Sequence, residues 1–404
     1  LWERLAAAAS SVGKGTLGSR TGRTLVLVTL YGGNDGLNTV VPYTNPAYGL
    51  ARGILAVDPS SVLELGEGFG LHPAMPRFHK LWTEKKLAIV HGVGFANPNY
   101  SHFESMDIWQ TALPNDPASS GWLGRWLDAT GSNPLRAVGI GPTTPTALVG
   151  ANVQAAAIPV GGITLPGTPL EQAAYAKLGG TFHGEPFLLD QAAASCADLL
   201  QVNKTLGPIL TKTANADPLH LKSAAATSTS ESNLALSNGG GGLGAANTLA
   251  TQLSVVANLI LSDAPTEVYS VDLGGFDTHY NQAATQDTLL AEVDQGISAF
   301  VDAMSTTTRG RGTVVLVYTE FGRRVGGNAS LGTDHGWANV VFVAGHQVKG
   351  GTFYGEPPSL TALNDGNIVY NTDFRTVYST VLDQVLGVDA KTFLQGTFKP
   401  VEFL

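Results

Sequence analysis

The sequence predicts a large α/β domain built on a parallel sheet, on three observations. Short β-branched runs recur along the chain, most plainly Thr24–Leu30 (TLVLVTL), Val314–Tyr318 and Val340–Ala344. Unbroken apolar runs of this length read as strands covered on both faces, as parallel strands are. Polar loops carrying acids and histidines border them, and in such sheets ligands sit beyond the carboxyl ends of the strands. Between the runs lie stretches with helical apolar spacing.

A chain of 404 residues has room for one large domain with an insertion, or for two domains. With 43% hydrophobic and 14% charged residues it is not a disordered chain. The net charge of −9 argues against a nucleic-acid partner, which would need Lys and Arg facing phosphates. No apolar run is long enough to span a membrane. The single cysteine, Cys196, excludes an internal disulfide and a multi-cysteine metal site, and reads as a buried structural thiol. Residues 1–23 are small and polar and begin at Leu1, as expected of a tail left by a removed export signal. Export to the periplasm or the outside is therefore expected.

In chain order, Thr24–Leu30 ends in Tyr31-Gly-Gly-Asn-Asp-Gly36, which places Asp35 on a glycine-opened bend at the sheet edge. No Gly-Lys-Ser/Thr follows, so this is not a phosphate-cradling loop. Pro73–Lys85 reads as a helix through Met75, Phe78, Leu81 and Trp82, and Leu87–Gly92 as a strand holding His91, a core or rim histidine. Ser101 opens the next helix. Glu104 stands where it would complete a capping box, while the same hydroxyl at a positive helix end could attack an anionic centre. Gly121–Thr130 starts another helix with Trp122 and Trp126 on its core face; Arg125 reads as an anion clamp or a surface arginine. Arg136–Gly141 is a further strand.

From residue 143 the composition turns rich in Pro, Gly, Ala and Ser, with helices from Phe187 onward and a low-complexity stretch, Ser223–Gly244. Residues 143–245 are read as a helical insertion or cap, leaving 24–142 and 246–404 as the core. The core resumes with helix Asn247–Leu261 and strand Glu267–Asp272, after which Asp277 and His279 stand two apart in a glycine-opened loop. Helix Gln282–Ser305 leads to Gly312–Gly345, the stretch around which the chain is organised, with Glu320, Arg323, Arg324, Asp334 and His335 between its two strands. Gly350–Leu360 is loop or edge strand, and Thr372–Leu386 a closing helix.

Carboxylates with imidazoles and no thiolates suit one or two hard or borderline divalent cations (Zn, Mn, Ca or Mg). Such a metal could polarise a phosphoryl or sulfuryl oxygen and activate a serine or water. Either Arg323 or Arg324 could neutralise the anion. A Ser-His-Asp hydrolase is the rival, but no Gly-x-Ser-x-Gly surrounds Ser101.

The ordered motifs LYGGNDGLNTVVPY, NYSHFESMDIWQT, GWLGRWLD, GGFDTH, YTEFGRR and GTDHGW resemble the bacterial family known as domain of unknown function 1501, from Thr24 to about Leu386. That family's members are typically exported by the twin-arginine route. It is in turn similar to the alkaline phosphatase and sulfatase superfamily. The resemblance implies a three-layer α/β/α sandwich, alkaline phosphatase-like, with a metal site at the strand ends. It implies Asp35, Asp277, His279 and His335 as metal ligands and Ser101 as nucleophile, with Glu320 where the superfamily has an adjacent Asp-His pair. Asp334 is read as a further ligand or as the group that holds the His335 imidazole in one tautomer, and His102 and Arg323 as catalytic residues beside Ser101. Phe321 departs from the pattern, standing where those enzymes pair an Asp with a His. The expected function is hydrolysis or transfer of phosphate or sulfate esters, with an anionic ester or glycan as substrate. A non-catalytic envelope or polysaccharide-binding protein on a degenerate fold is the alternative.

Overall fold

Every residue of Thr24–Leu30, strand β1, is buried. Leu25 and Leu27 enter one apolar layer while Val26, Val28 and Leu30 enter the other. This is the period-2 alternation of a strand covered on both faces. The computed structural model describes residues 21–116, 120–163, 165, 168, 171, 172, 174, 177, 186–221 and 248–404. The expected export tail (apart from its last residues) and the whole low-complexity stretch lie outside the described residues.

Strands β2 (Leu87–Gly94), β3 (Ala137–Ile140), β4 (Ala156–Ile158), β5 (Val268–Leu273), β6 (Thr313–Tyr318), β7 (Asn339–Ala344), β8 (Thr352–Tyr354) and β9 (Thr372–Asp373) complete a nine-stranded sheet. Its order is β8-β2-β7-β6-β1-β5-β3-β4, with β9 pairing β2. Helices α1 (Pro76–Thr83), α2 (His102–Thr111), α3 (Trp122–Thr130), α4 (Phe187–Thr213), α5 (Leu249–Leu261), α6 (Gln282–Ala303) and α7 (Phe374–Thr380) flank it. The first apolar layer unites α1, α4, α5 and α6; the second unites α2, α3 and α7. The chain is thus a three-layer α/β/α sandwich. No helix among the described residues is long and apolar enough to cross a membrane.

Several expectations change. The sheet is mixed, because β7 runs antiparallel to both β2 and β6. Strand β4 extends the sheet as its edge, parallel to β3, so residues 156–158 are sheet rather than cap. The closing helix starts at Phe374, capped by Asp373, and widens into a π-turn over Val381–Val385. Arg125 is neither clamp nor surface residue: it donates to the carbonyls of Phe393, Ser120 and Thr111 at 2.8, 2.5 and 2.7 Å. Cys196 is half-buried rather than buried.

His91 on β2 lies in the core at 1% exposure, its ring 4.8 Å from those of both Phe69 and Phe353. Neither ring nitrogen has a hydrogen-bond partner, and burial alone pulls its pKa down to about 4. In the unfolded chain the group takes up a proton near pH 6.5, which the folded chain refuses until about 4. Its contribution is therefore complete above pH 6.5 and shrinks as pH falls towards 4, by up to about 3 kcal/mol. Replacing it with Phe, with a cavity of about 20 Å³ adjoining, should abolish that part of the acid sensitivity. Urea titrations of wild type and His91→Phe at pH 7.5 and 4.5 check this.

Candidate active site

The carboxyl edge of the sheet assembles the site. The turns after β1, β2, β5 and β6 all emerge there because those strands run parallel to one another. Since β7 is antiparallel, it begins at that same edge, and the residues just before it, including His335, arrive there too. The segment from Gly322 to Trp337 folds back on itself: Gly322 donates to the Trp337 carbonyl at 2.9 Å and Arg324 to that of Asp334 at 3.0 Å. Two glycines after β1 make the assembly tight enough. A Cβ on Gly32, whose φ is +117°, would sit 2.4 Å from the Asp277 nitrogen, and one on Gly33, at +73°, 2.4 Å from the Phe321 ring.

Asp277 is the hub. Its Oδ1 lies 3.0 Å from Nε2 of His335, 3.0 Å from Nε2 of His279 and 2.8 Å from Nη2 of Arg323. Its Oδ2 lies 3.4 Å from Nε2 of His102. Burial alone would raise this carboxyl, but His102, His335 and Arg323 together hold it well below the usual carboxylate range. The two remote imidazole nitrogens have their own partners. Nδ1 of His102 meets Glu320 Oε1 at 2.7 Å, and Nδ1 of His335 meets the Tyr100 carbonyl at 2.8 Å. Both far nitrogens thus face acceptors, which orients each ring with Nε2 towards the centre.

Glu320, 1% exposed, accepts from the Gly32 N–H at 2.8 Å and from the Thr319 hydroxyl at 2.8 Å besides facing His102. It therefore stands behind a histidine rather than in the centre. Burial pushes His102 down, but the neighbouring carboxylates of Asp277 and Glu320 outweigh it and raise the group to about 9. Phe321 packs against the rings of both His102 and His335, centroids 4.9 and 4.6 Å apart. It is a wall that fixes two imidazoles, where sequence alone suggested a missing ligand.

His279 sits at the outer side. Its Nε2 lies 2.9 Å from Nε2 of His335 and its Nδ1 3.4 Å from Asp334 Oδ1. Burial lowers the pKa of His279, and an Asn328 hydrogen bond chiefly lowers that of Asp334. Ser101 is exposed and caps α2, accepting from the Glu104 N–H at 3.4 Å. The capping box is only half made. The Asn99 side chain takes the Ser101 N–H at 2.6 Å and donates to Glu104 at 2.6 Å, so Glu104 does not reach back itself.

Two expected members are spent on the surrounding structure. Asp35 is 2% exposed, ion-paired to both amino groups of Arg52 and bonded to Gln282 at 2.5 Å, with no oxygen left for the centre. Arg323 is 2% exposed and spends its donors on the protein: the carbonyls of Gly32, Gly33, Thr333 and Phe276, and Asp277. Sequence reading missed Arg52, Gln282 and the Tyr100 carbonyl; nothing local marks them, because each acts on a residue distant in the chain.

Among the described residues, the group able to hold a cation is His102, Asp277 and His335, whose ligand atoms lie within 4.8 Å of one another. Residues 225–399 match the family model described as Protein of unknown function (DUF1501). That match takes in Asp277, His279, Glu320, Arg323, Asp334 and His335 and leaves Ser101 and His102 outside it. No curated protein matches. Among solved structures, the chain is similar to a protein in the alkaline phosphatase superfamily from Vibrio parahaemolyticus, with TM-score 0.40, 11% identity, and coverage of 98% of this chain and 76% of that one. It is also similar to a 2-O GAG sulfatase, with TM-score 0.35, 10% identity, and coverage of 94% and 76%.

If Arg323 is a clamp between loops, its loss damages the fold. Arg323→Ala should cost about 3–5 kcal/mol, since it strands buried acceptors and a carboxylate. Arg323→Lys should recover only part, because an ammonium cannot reproduce the planar fork. Chemical denaturation measures both; a residue serving substrate alone would leave the midpoint unmoved.

Proposed function

We propose that the protein hydrolyses phosphate or sulfate esters with a divalent cation held by His102, Asp277 and His335. The observation that carries this reading is the convergence of those three ligand atoms beside the N-terminus of α2. The fit has a second support: Nε2 of His102 is buried with no hydrogen-bond partner. Two imidazoles and a carboxylate suit zinc or manganese, each ring backed by an acceptor on its far nitrogen. A bound cation would neutralise ester oxygens and ease deprotonation of a nearby hydroxyl.

The chain's own groups supply the rest. The N-terminus of the ten-residue helix α2 offers N–H groups and a positive dipole end to an anionic ester. Ser101 attacks: its hydroxyl proton passes to His279, the most exposed imidazole of the group at 40% side-chain exposure, as a bond from Oγ to phosphorus or sulfur forms, and His279 hands that proton to the ester's leaving oxygen as the ester bond breaks. His279 then takes a proton from the water that attacks the phosphorus or sulfur and returns it to Oγ as Ser101 is released. Glu320 keeps His102 in one orientation throughout.

One observation favours a second reading, a binding protein without catalysis. Arg323 already sits 2.8 Å from Asp277 Oδ1, so the carboxylate's charge is partly balanced within the protein. Metal content and turnover separate the two. On the first reading, purified protein carries near-stoichiometric metal that Asp277→Asn loses, and releases phosphate or sulfate from ester panels. Ser101→Ala then lowers kcat by roughly 10³-fold or more with metal retained. Protein that stays metal-free after incubation with zinc and manganese, and silent on both ester classes, overturns it.

A further inference from the structure

Among the described residues, three aromatic side chains are exposed and the others are buried or half-buried. Tyr100, Phe103 and Tyr280 are 41%, 70% and 70% exposed. Each adjoins the site. Tyr100 precedes Ser101 and gives its carbonyl to His335 at 2.8 Å; Phe103 follows His102; Tyr280 follows His279. An aromatic ring left in water costs the protein hydrophobic stabilisation. That every exposed aromatic among the described residues is the chain neighbour of a site residue marks a surface kept for a ligand.

We infer that these rings grip a saccharide, so that the ester handled by the site is carried on a sugar; the inference rests on the hydrolase reading above. The chemistry of the rim selects that class. A sugar ring has C–H faces that lie on aromatic faces and a hydroxyl edge that needs donors and acceptors. The same rim supplies those. Asp334 and Asp365 are 56% and 78% exposed, and Arg324 at 35% bonds to Asp365 at 2.8 Å. Tyr100 is held in place, its hydroxyl accepting from Asn367 at 3.0 Å. A lipid tail laid on this rim would strip water from those charges without replacing it.

The test compares two non-aromatic phosphate esters and their sulfate counterparts: glucose 6-phosphate or glucose 6-sulfate against glycerol phosphate or a short alkyl sulfate. Wild type should favour the sugar ester, and Phe103→Ala and Tyr280→Ala should each lower the ratio of kcat/KM, sugar over non-sugar, about tenfold. Calorimetric titration of a sulfated disaccharide should show a matching loss of affinity. If wild type turns over both esters alike and the variants leave the ratio unchanged, the saccharide inference fails while the hydrolase reading stands. If no ester is cleaved, the hydrolase reading fails, and titration decides: saccharide binding weakened by the two variants upholds the aromatic subsite, and its absence overturns it. Phosphatidylcholine vesicles that sediment with wild type but not with Tyr280→Ala would overturn it in favour of a lipid surface.

Discussion

The site depends on one buried guanidinium. Arg323 ties the turn after β1, through Gly32 and Gly33, to the turn after β5, through Phe276 and Asp277, and to the segment before β7, through Thr333. Those backbone acceptors would otherwise point into a crowded interior with nothing to satisfy them. A planar, permanently charged fork can serve several acceptors at fixed angles, which an ammonium cannot. The position of Asp277, and with it the meeting point of His102, His279 and His335, follows from that clamp.

Around it the structure uses the same device more than once. A buried or half-buried charge is fixed by partners from distant segments, and a chemically active group is left with one free valence. Asp35 is closed off by Arg52 and Gln282 and so braces the turn after β1. Glu320 is shared between a backbone N–H and His102 and so aims an imidazole. The Tyr100 carbonyl does the same for His335. Phe321 closes the wall behind both rings. The result is a centre whose supports are buried and whose outer members, Ser101, His279 and Asp334, face water.

Much of the fold was legible in the sequence. The β-branched runs and helical spacings marked most strands of the large sheet and the helices that flank it, since burial on both faces of a sheet leaves a continuous apolar signature. The turns bearing Asp277, His279 and Glu320 were legible because glycine and acid after a strand are local features. Strand direction was not. β7 reads like its neighbours, because an apolar run carries no sign of whether it runs parallel or antiparallel. The helix start at Ser101 was marked, but the partner for its N–H was not, since Asn99 and Glu104 compete for it at similar range.

What the sequence determined by itself was the alphabet of the site and its position at strand ends: acids, imidazoles and a serine on glycine-opened loops, in a chain with no thiolate set. What the tertiary structure decided was allocation. Asp35 and Arg323 look as available in the sequence as Asp277 and His335. Folding gave the first two partners that occupy every useful atom, and left the other two converging with His102. That choice lies in contacts between residues tens to hundreds of positions apart, which no local pattern of residues encodes.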